Sequence, residues 1–286
     1  MTIIEKIAYN KASASKSGWT PSDFGGTDFN EDLINKIIQL QKSLNITADG
    51  LVGATTYRML SAAIHSEEDS YIICGGKRVN IDWPKVVVMG EQGCLTAPQS
   101  AVRKRGPKKP SMFVVHWDAC LNSAACASVL VQRGLSVHFC LDNDGTIYQL
   151  VDCNDVAFHA SGANSVSIGV EVSNAFYMKY QDWYEKKGFG KRPIVGKTKC
   201  NGGTVEEHLG FYPVQEEALK VLIQTVCNHY GIPLVVPTDS AGVMENKQVA
   251  SVVDNSFHGV VCHYHITKEK IDCAGLKLDE LVKPKV

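Results

Sequence analysis

Met112-Phe113-Val114-Val115-His116 is an apolar run that ends on a histidine, and two later stretches have the same character. Ser167-Ile168-Gly169-Val170-Glu171-Val172 is apolar with a single carboxylate, and Val260-Val261-Cys262-His263 again ends on histidine, with Cys273 ten positions further on. Short apolar runs rich in β-branched residues read as buried strands. Three such strands, each carrying one chemically active side chain, point to a single site assembled from distant parts of the chain. Two imidazoles and a thiolate can hold a zinc ion and leave its fourth position to water. Glu171 is of a type to take a proton from that water.

The surrounding pattern alternates strands with helices. Ser123–Arg133 is a helical stretch. Strands over Val137–Asp142 and Thr146–Leu150 are joined by Asn143-Asp144-Gly145, a strong hairpin turn. Val214 to Tyr230 is a long amphipathic helix, with Ala218, Leu219, Leu222, Ile223, Val226 and Cys227 on one face and Gly231 ending it. Tyr71–Ile73 and Val86–Met89 read as short strands. The fold class is therefore α/β, a mixed central β-sheet flanked by helices.

Upstream, Leu33, Ile34, Ile37, Ile38, Leu40 and Leu44 recur at helical spacing, with Asn30 or Thr27 able to cap the start. Asp49-Gly50 and Gly53 are turn signals, and Ala54 to Ile64 reads as a second helix. The segment before them holds Trp19, Pro21 and Gly25-Gly26 and reads as loop-rich with one short helix. The acidic run His65–Ser70 reads as a linker. This divides the chain into a small helical domain at 1–65, a linker at 66–80 and an α/β domain at 81–286.

The chain has 286 residues, 44% of them hydrophobic and 21% charged, with a net charge of -1, which suits a folded core and makes neither nucleic acid nor an anionic membrane a required partner. No apolar run approaches the roughly 20 residues that span a bilayer. Met1 to Ser15 alternates polar and apolar residues, unlike a secretory signal. The ten cysteines are scattered, with no CxxC pair, and many lie inside apolar runs. They read as small buried groups in a protein made in a reducing compartment.

The stretch from Gln39 to Tyr57, with its Asp49-Gly50-Leu51-Val52-Gly53 core followed by Thr56, resembles the small helical peptidoglycan-binding domains over roughly residues 27–64. Asn45 and Ala54 stand where those domains usually have glycine and proline. In the larger part, Val114-Val115-His116, Ser136-Val137-His138-Phe139, Asp144–Leu150, Ala157-Phe158-His159-Ala160, Asn164, Ser167–Glu171, Gln215–Leu219 and His263-Tyr264 occur in an order that resembles the zinc-dependent N-acetylmuramoyl-L-alanine amidases and the related peptidoglycan-recognition proteins, from about 112 to 281.

The resemblance implies hydrolysis of the bond between the lactyl group of N-acetylmuramic acid and L-alanine, with Zn2+ as cofactor. It puts metal ligands on His116, His263 and, in the segment Lys270-Ile271-Asp272-Cys273-Ala274-Gly275, on Cys273, with Asp272 the competing ligand. Thiolate softness favours Cys273. His265 is a further rival. The resemblance implies that Glu171 is the general base, since Val137 occupies the position where other members carry a tyrosine. It suggests Lys270 as oxyanion stabiliser, although the family lysine lies one position nearer the ligand. His159 and Asn164 are expected at the substrate, and His138 reads as structural or as orienting a ligand. The basic run Arg103–Lys109 reads as a solvated loop. Tyr177 to Gly210 looks like an insertion, either a basic aromatic grip on substrate or a surface flap. The expected protein is a monomeric phage-endolysin-like enzyme, made in the host cytoplasm and acting on the cell wall after release. The alternatives are a non-catalytic recognition protein and a muropeptide-recycling amidase.

Overall fold

A computed structural model describes residues 1–17, 19–43, 46–53, 56–57 and 70–283. The chain forms two compact units, Met1–Asp69 and Ser70–Val286. The second helix expected over Ala54–Ile64 and the acidic run at 65–69 lie mostly outside the described residues.

In the first unit, α1 (Ile3–Ser17) and α2 (Glu31–Ser43) pack around Ala14, Trp19, Phe24, Leu33, Ile37 and Val52. Asn30 caps α2 by accepting the Leu33 amide proton at 2.9 Å, which satisfies one of the donors a helix start leaves over. The Asp49–Val52 turn is held by two buried amides. Gln41 donates to Asp49 Oδ1 and the Leu51 carbonyl and accepts from the Gly50 amide, while Asn10 donates to the Gly50 carbonyl and accepts from the Val52 amide. Gly50 takes φ +75°, and a Cβ on it would sit 2.8 Å from Ile34, so glycine is required twice over. Helix α1 is a departure from the loop-rich segment the sequence suggests. Only Asn10 and Ala14 of it are buried, so it carries almost no apolar stripe to read.

The second unit opens with a hairpin of β1 (Tyr71–Cys74) and β2 (Lys77–Asn80). Over residues 71–80 this corrects the linker expected at 66–80. Gln149 exchanges hydrogen bonds with the backbone of Ile73, and Asp152 accepts from the amides of Gly75 and Gly76, both at 2.7 Å, so residues 71–80 are fastened to the α/β body. Then follow β3 (Val86–Val87), β4 (Val102–Lys104), β5 (Met112–Trp117), α3 (Ser123–Arg133), β6 (Phe139–Leu141), β7 (Ile147–Gln149), β8 (Asp155–Ala157), β9 (Ser167–Val172), α4 (Gln181–Lys186), the short strands β10 (Ile194–Val195), β11 (Thr198–Cys200), β12 (Gly203–Val205) and β13 (His208–Leu209), then α5 (Pro213–Tyr230), α6 (Ala250–Val253) and β14 (Gly259–Cys262).

Six strands form the central sheet in the order β14-β5-β9-β6-β7-β3. Strands β14, β5, β9 and β6 run parallel, and β7 turns back antiparallel through Asn143-Asp144-Gly145, with Gly145 at φ +82°. The pleat sorts side chains by parity. Phe113, Val115, Ile168, Val170, Phe139, Leu141 and Val260 face α5, whose Ala218, Leu219, Leu222, Ile223, Val226 and Cys227 are fully buried. Each such Val, Leu, Ile or Phe side chain contributes about 1.5–3 kcal/mol by leaving water. On the other face, Cys140 meets Cys126, Ala127 and Leu130 of α3, while Met112, Val114 and Val261 are covered by Ala160, Ala163, Val252 and Ile266. His116, Gly169 and Glu171 belong to this second face, with His116 and Glu171 at the carboxyl ends of their parallel strands, where ligands of open α/β sheets bind.

All ten cysteines are unpaired; eight are buried, and Cys94 and Cys120 are partly so. Among the described residues no helix is long and apolar enough to cross a membrane.

Candidate metal centre

Strand β5 delivers His116 and the turn after β14 delivers His263, both buried. Their Nδ1 atoms stand 3.0 Å apart. The third corner is Asp272, whose Oδ2 lies 3.2 Å from His116 Nδ1 and 3.1 Å from His263 Nδ1. Among the described residues this is the grouping of His, Cys, Asp and Glu able to hold an ion. A tetrahedral zinc with bonds of about 2.0–2.1 Å keeps its ligand atoms roughly 3.3–3.4 Å apart. The observed triangle is within a few tenths of an ångström of that face, and its donors, two imidazoles and a carboxylate, are ones zinc accepts. The residues fit the ion.

Cys273 does not join the triangle, which corrects the preference for its sulfur. Asp272 and Cys273 lie in a turn where their side chains part, and Asp272 takes the side of the histidines. Cys273 enters the main core, where burial first and then contact with the Cys262 thiol push its pKa well above the ordinary thiol value. A thiol kept protonated among apolar groups is a poor ligand. His265 is also occupied elsewhere. Its Nδ1 accepts from the Cys262 amide at 3.0 Å and its Nε2 donates to the Glu245 carbonyl at 2.8 Å.

Electrostatics within the triangle are mutually consistent. Burial, then the neighbouring His263, lower the His116 pKa to about 4, so the ring stays neutral with a lone pair to give. Burial alone would raise the Asp272 carboxyl, but its contacts with the His116 and His263 rings outweigh it and hold the group ionised well below the usual range.

Glu171 stands opposite His116 in the β5–β9 register, so both project from the same face. Its Oε2 is buried and has no hydrogen-bond partner. Burial, then the carboxylates of Asp272 and Asp118, raise its pKa well above the ordinary carboxyl value. A carboxylate with an unsatisfied oxygen and raised basicity, beside a metal-type cluster, is suited to proton transfer. Lys270 is exposed, yet its charge is felt at both His116 and Glu171, lowering the pKa of each.

His159 and Asn164, expected at the substrate, engage the protein itself. His159 Nδ1 lies 3.0 Å from His116 Nε2, and Asn164 Oδ1 accepts from the amides of His159 and Ala160, fixing the loop that carries the ring. His138 accepts from the Gly169 amide through Nδ1 at 3.1 Å and donates to the Asp155 carbonyl through Nε2 at 3.2 Å. Arg105 departs from the solvated-loop reading of its basic run. It is buried and donates to the carbonyls of Ser165, Asp155 and Ser167.

The segment 177–210 is partly built into the body. Arg192 is buried between the rings of Tyr184 and Tyr212 and donates to the carbonyls of Gly210 and Ser173. Asn201 reaches under the loop that joins His263 to Asp272. It donates to the Lys270 carbonyl at 3.0 Å and accepts from the Gln248 amide at 2.7 Å. Nothing in the sequence spacing announces these contacts, because they depend on where an irregular loop closes.

A parallel-centred sheet with this histidine–histidine–aspartate cluster at its carboxyl edge defines the class, an α/β amidase fold. The N-acetylmuramoyl-L-alanine amidase family matches residues 106–272, more than half of the chain, and the chain belongs to that family. No protein of curated function matches it by sequence. Solved structures similar to it include the N-acetylmuramoyl-L-alanine amidase LysC from Clostridium intestinale URNW, 18% identical over 70% of this chain and 95% of that one, TM-score 0.41. The Ph2119 endolysin of a Thermus scotoductus bacteriophage is 14% identical over 64% and 89%, TM-score 0.38. Drosophila PGRP-LB is 14% identical over 69% and 92%, TM-score 0.38.

Proposed function

We propose that the chain is a zinc-dependent peptidoglycan hydrolase that cleaves the amide between the lactyl group of N-acetylmuramic acid and the L-alanine of the stem peptide. The observation that carries this reading is the triangle of His116 Nδ1, His263 Nδ1 and Asp272 Oδ2 beside the unpaired Oε2 of Glu171, in a member of the amidase family. His116, His263 and Asp272 would hold the ion. When bound, zinc supplies Lewis acidity, which polarises the amide carbonyl and makes water acidic enough to attack near neutral pH. Glu171 Oε2 takes the proton of the attacking water and returns it to the leaving nitrogen. Lys270, at the rim, adds positive charge where the carbonyl oxygen becomes negative.

The finer reading is a phage endolysin, made in the host cytoplasm and acting on the wall after release. The resemblance of residues 27–64 to peptidoglycan-binding domains supports it, because an enzyme for an insoluble polymer gains from its own anchor. Purified sacculi, incubated with the chain with and without a chelator, test the proposal. The expected outcome is new N-terminal alanine without new reducing ends, lost on chelation and restored by zinc. Glu171→Gln should retain zinc and lose about 10²–10⁴-fold in rate. Reducing ends in place of new N-terminal alanine, or full turnover by Glu171→Gln, would refute it.

A further inference from the structure

Three residues of one strand, Ser167, Gly169 and Glu171, share a face of the sheet, and the ring of His159 lies across the middle one. A Cβ on Gly169 would fall within that ring, so only glycine leaves it a seat. From this seat His159 reaches two partners, with Nδ1 3.0 Å from His116 Nε2 and Nε2 3.3 Å from Ser167 Oγ. Ser167 Oγ in turn donates to the Ala163 carbonyl at 2.8 Å.

The direction of this chain is set at its far end. A carbonyl only accepts, so the Ser167 hydroxyl proton is committed to Ala163 and its oxygen must accept from His159 Nε2–H. With one proton per ring, His159 Nδ1 then carries a lone pair and accepts from His116 Nε2–H. That leaves the lone pair of His116 on Nδ1, facing His263 and Asp272. The geometry points to His159 as a positioning residue that, seated on Gly169 and anchored by Ser167, fixes the tautomer and ring angle of His116 so that Nδ1 is presented as a ligand. This deepens the proposed function and rests on its metal reading. It gives His159 and Ser167 roles that touch no substrate. It also gives the alternation Ser167-x-Gly169-x-Glu171 one meaning per residue: anchor, seat and base. Partners of this kind orient metal-bound imidazoles and raise their basicity.

The test uses the full chain freed of metal by a chelator. Long-range nitrogen–proton NMR of the assigned His116 ring reports which nitrogen is protonated. Wild type should show the Nε2–H form. Ser167→Ala, which removes the anchor and keeps the ring, and Gly169→Ala, which evicts the ring and keeps its chemistry, should shift His116 toward a mixture. Both variants should bind zinc about ten- to a hundredfold more weakly in competition with a chromophoric chelator. Ser167→Thr, which restores the hydroxyl, should recover both readouts, and a loss caused by general loosening would not respond to it. A wild-type His116 protonated on Nδ1, or an unchanged tautomer in both disruptive variants, would overturn the inference. If wild type binds no zinc, the metal reading falls, whereas the tautomer measurement still decides this one.

Discussion

At the scale of single residues, the adjacent pair Asp272 and Cys273 shows where chemical preference and geometry part. By softness alone the thiolate is the better zinc ligand. The carboxylate nevertheless faces His116 and His263, and the thiol is 1% exposed in the core beside Cys262. The two substitutions should therefore separate. Asp272→Ala is expected to abolish stoichiometric zinc retention, because it removes one of the three donors and leaves two close imidazole lone pairs uncompensated. Cys273→Ala should retain zinc and lower stability by about 1 kcal/mol, the cost of a small deleted core group. Metal analysis after gel filtration, paired with denaturant unfolding, distinguishes the two. Zinc lost from Cys273→Ala and kept by Asp272→Ala would reverse the assignment. His116, His263 and Glu171 were legible because each ends or interrupts an apolar strand. The choice between 272 and 273 was not, since it turns on a single reversal of side-chain direction in an irregular loop.

At the scale of elements, legibility followed periodicity. Strands β5, β9 and β14, the hairpin of β6 and β7, and helices α2, α3 and α5 all carry a clear apolar pattern, and end signals such as Asn30 before α2 and Gly231 after α5 match it. Helix α1 and the strands β10 to β13 do not, because their burial is sparse and their pairings are only two or three residues long. The consequence of that irregular region was hidden with it. Asn201 ties the insertion to the loop between two of the cluster residues. Asn201→Ala should remove two hydrogen bonds, the one to the Lys270 carbonyl and the one from the Gln248 amide, costing about 1–3 kcal/mol together. Hydrogen exchange of residues 264–272 should accelerate by roughly ten- to a hundredfold, with the amides of α5 unchanged. Unaltered exchange in that loop would show that the insertion does not support it.

At the scale of the whole molecule, the α/β unit buries several imidazoles in neutral form, and this links its stability to pH. His138 is the clearest case. Burial first, then the adjacent Arg105 guanidinium, push its pKa down to about 3, and its Nδ1 accepts from the Gly169 amide, a bond that a proton on Nδ1 would destroy. The folded value lies below the unfolded value near 6.5. The stabilisation is therefore fully present above pH 6.5 and is lost as pH falls toward 3, because the unfolded chain takes the proton first. The slope approaches about 1.4 kcal/mol per pH unit. Carboxyls with raised pKa act in the opposite sense; Asp118, lifted to about 7 chiefly by burial, gains stability for the fold as pH drops from 7. A wild-type pH profile alone would thus mix both signs. Comparison with His138→Gln separates them, since the carboxyls are common to both chains and cancel in the difference. The excess stability of wild type over the variant should shrink by about 1.6 kcal/mol between pH 6.5 and pH 5 in denaturant titrations. Parallel curves for the two chains would mean that His138 is protonated in the fold, and that the Gly169 bond is not what holds it.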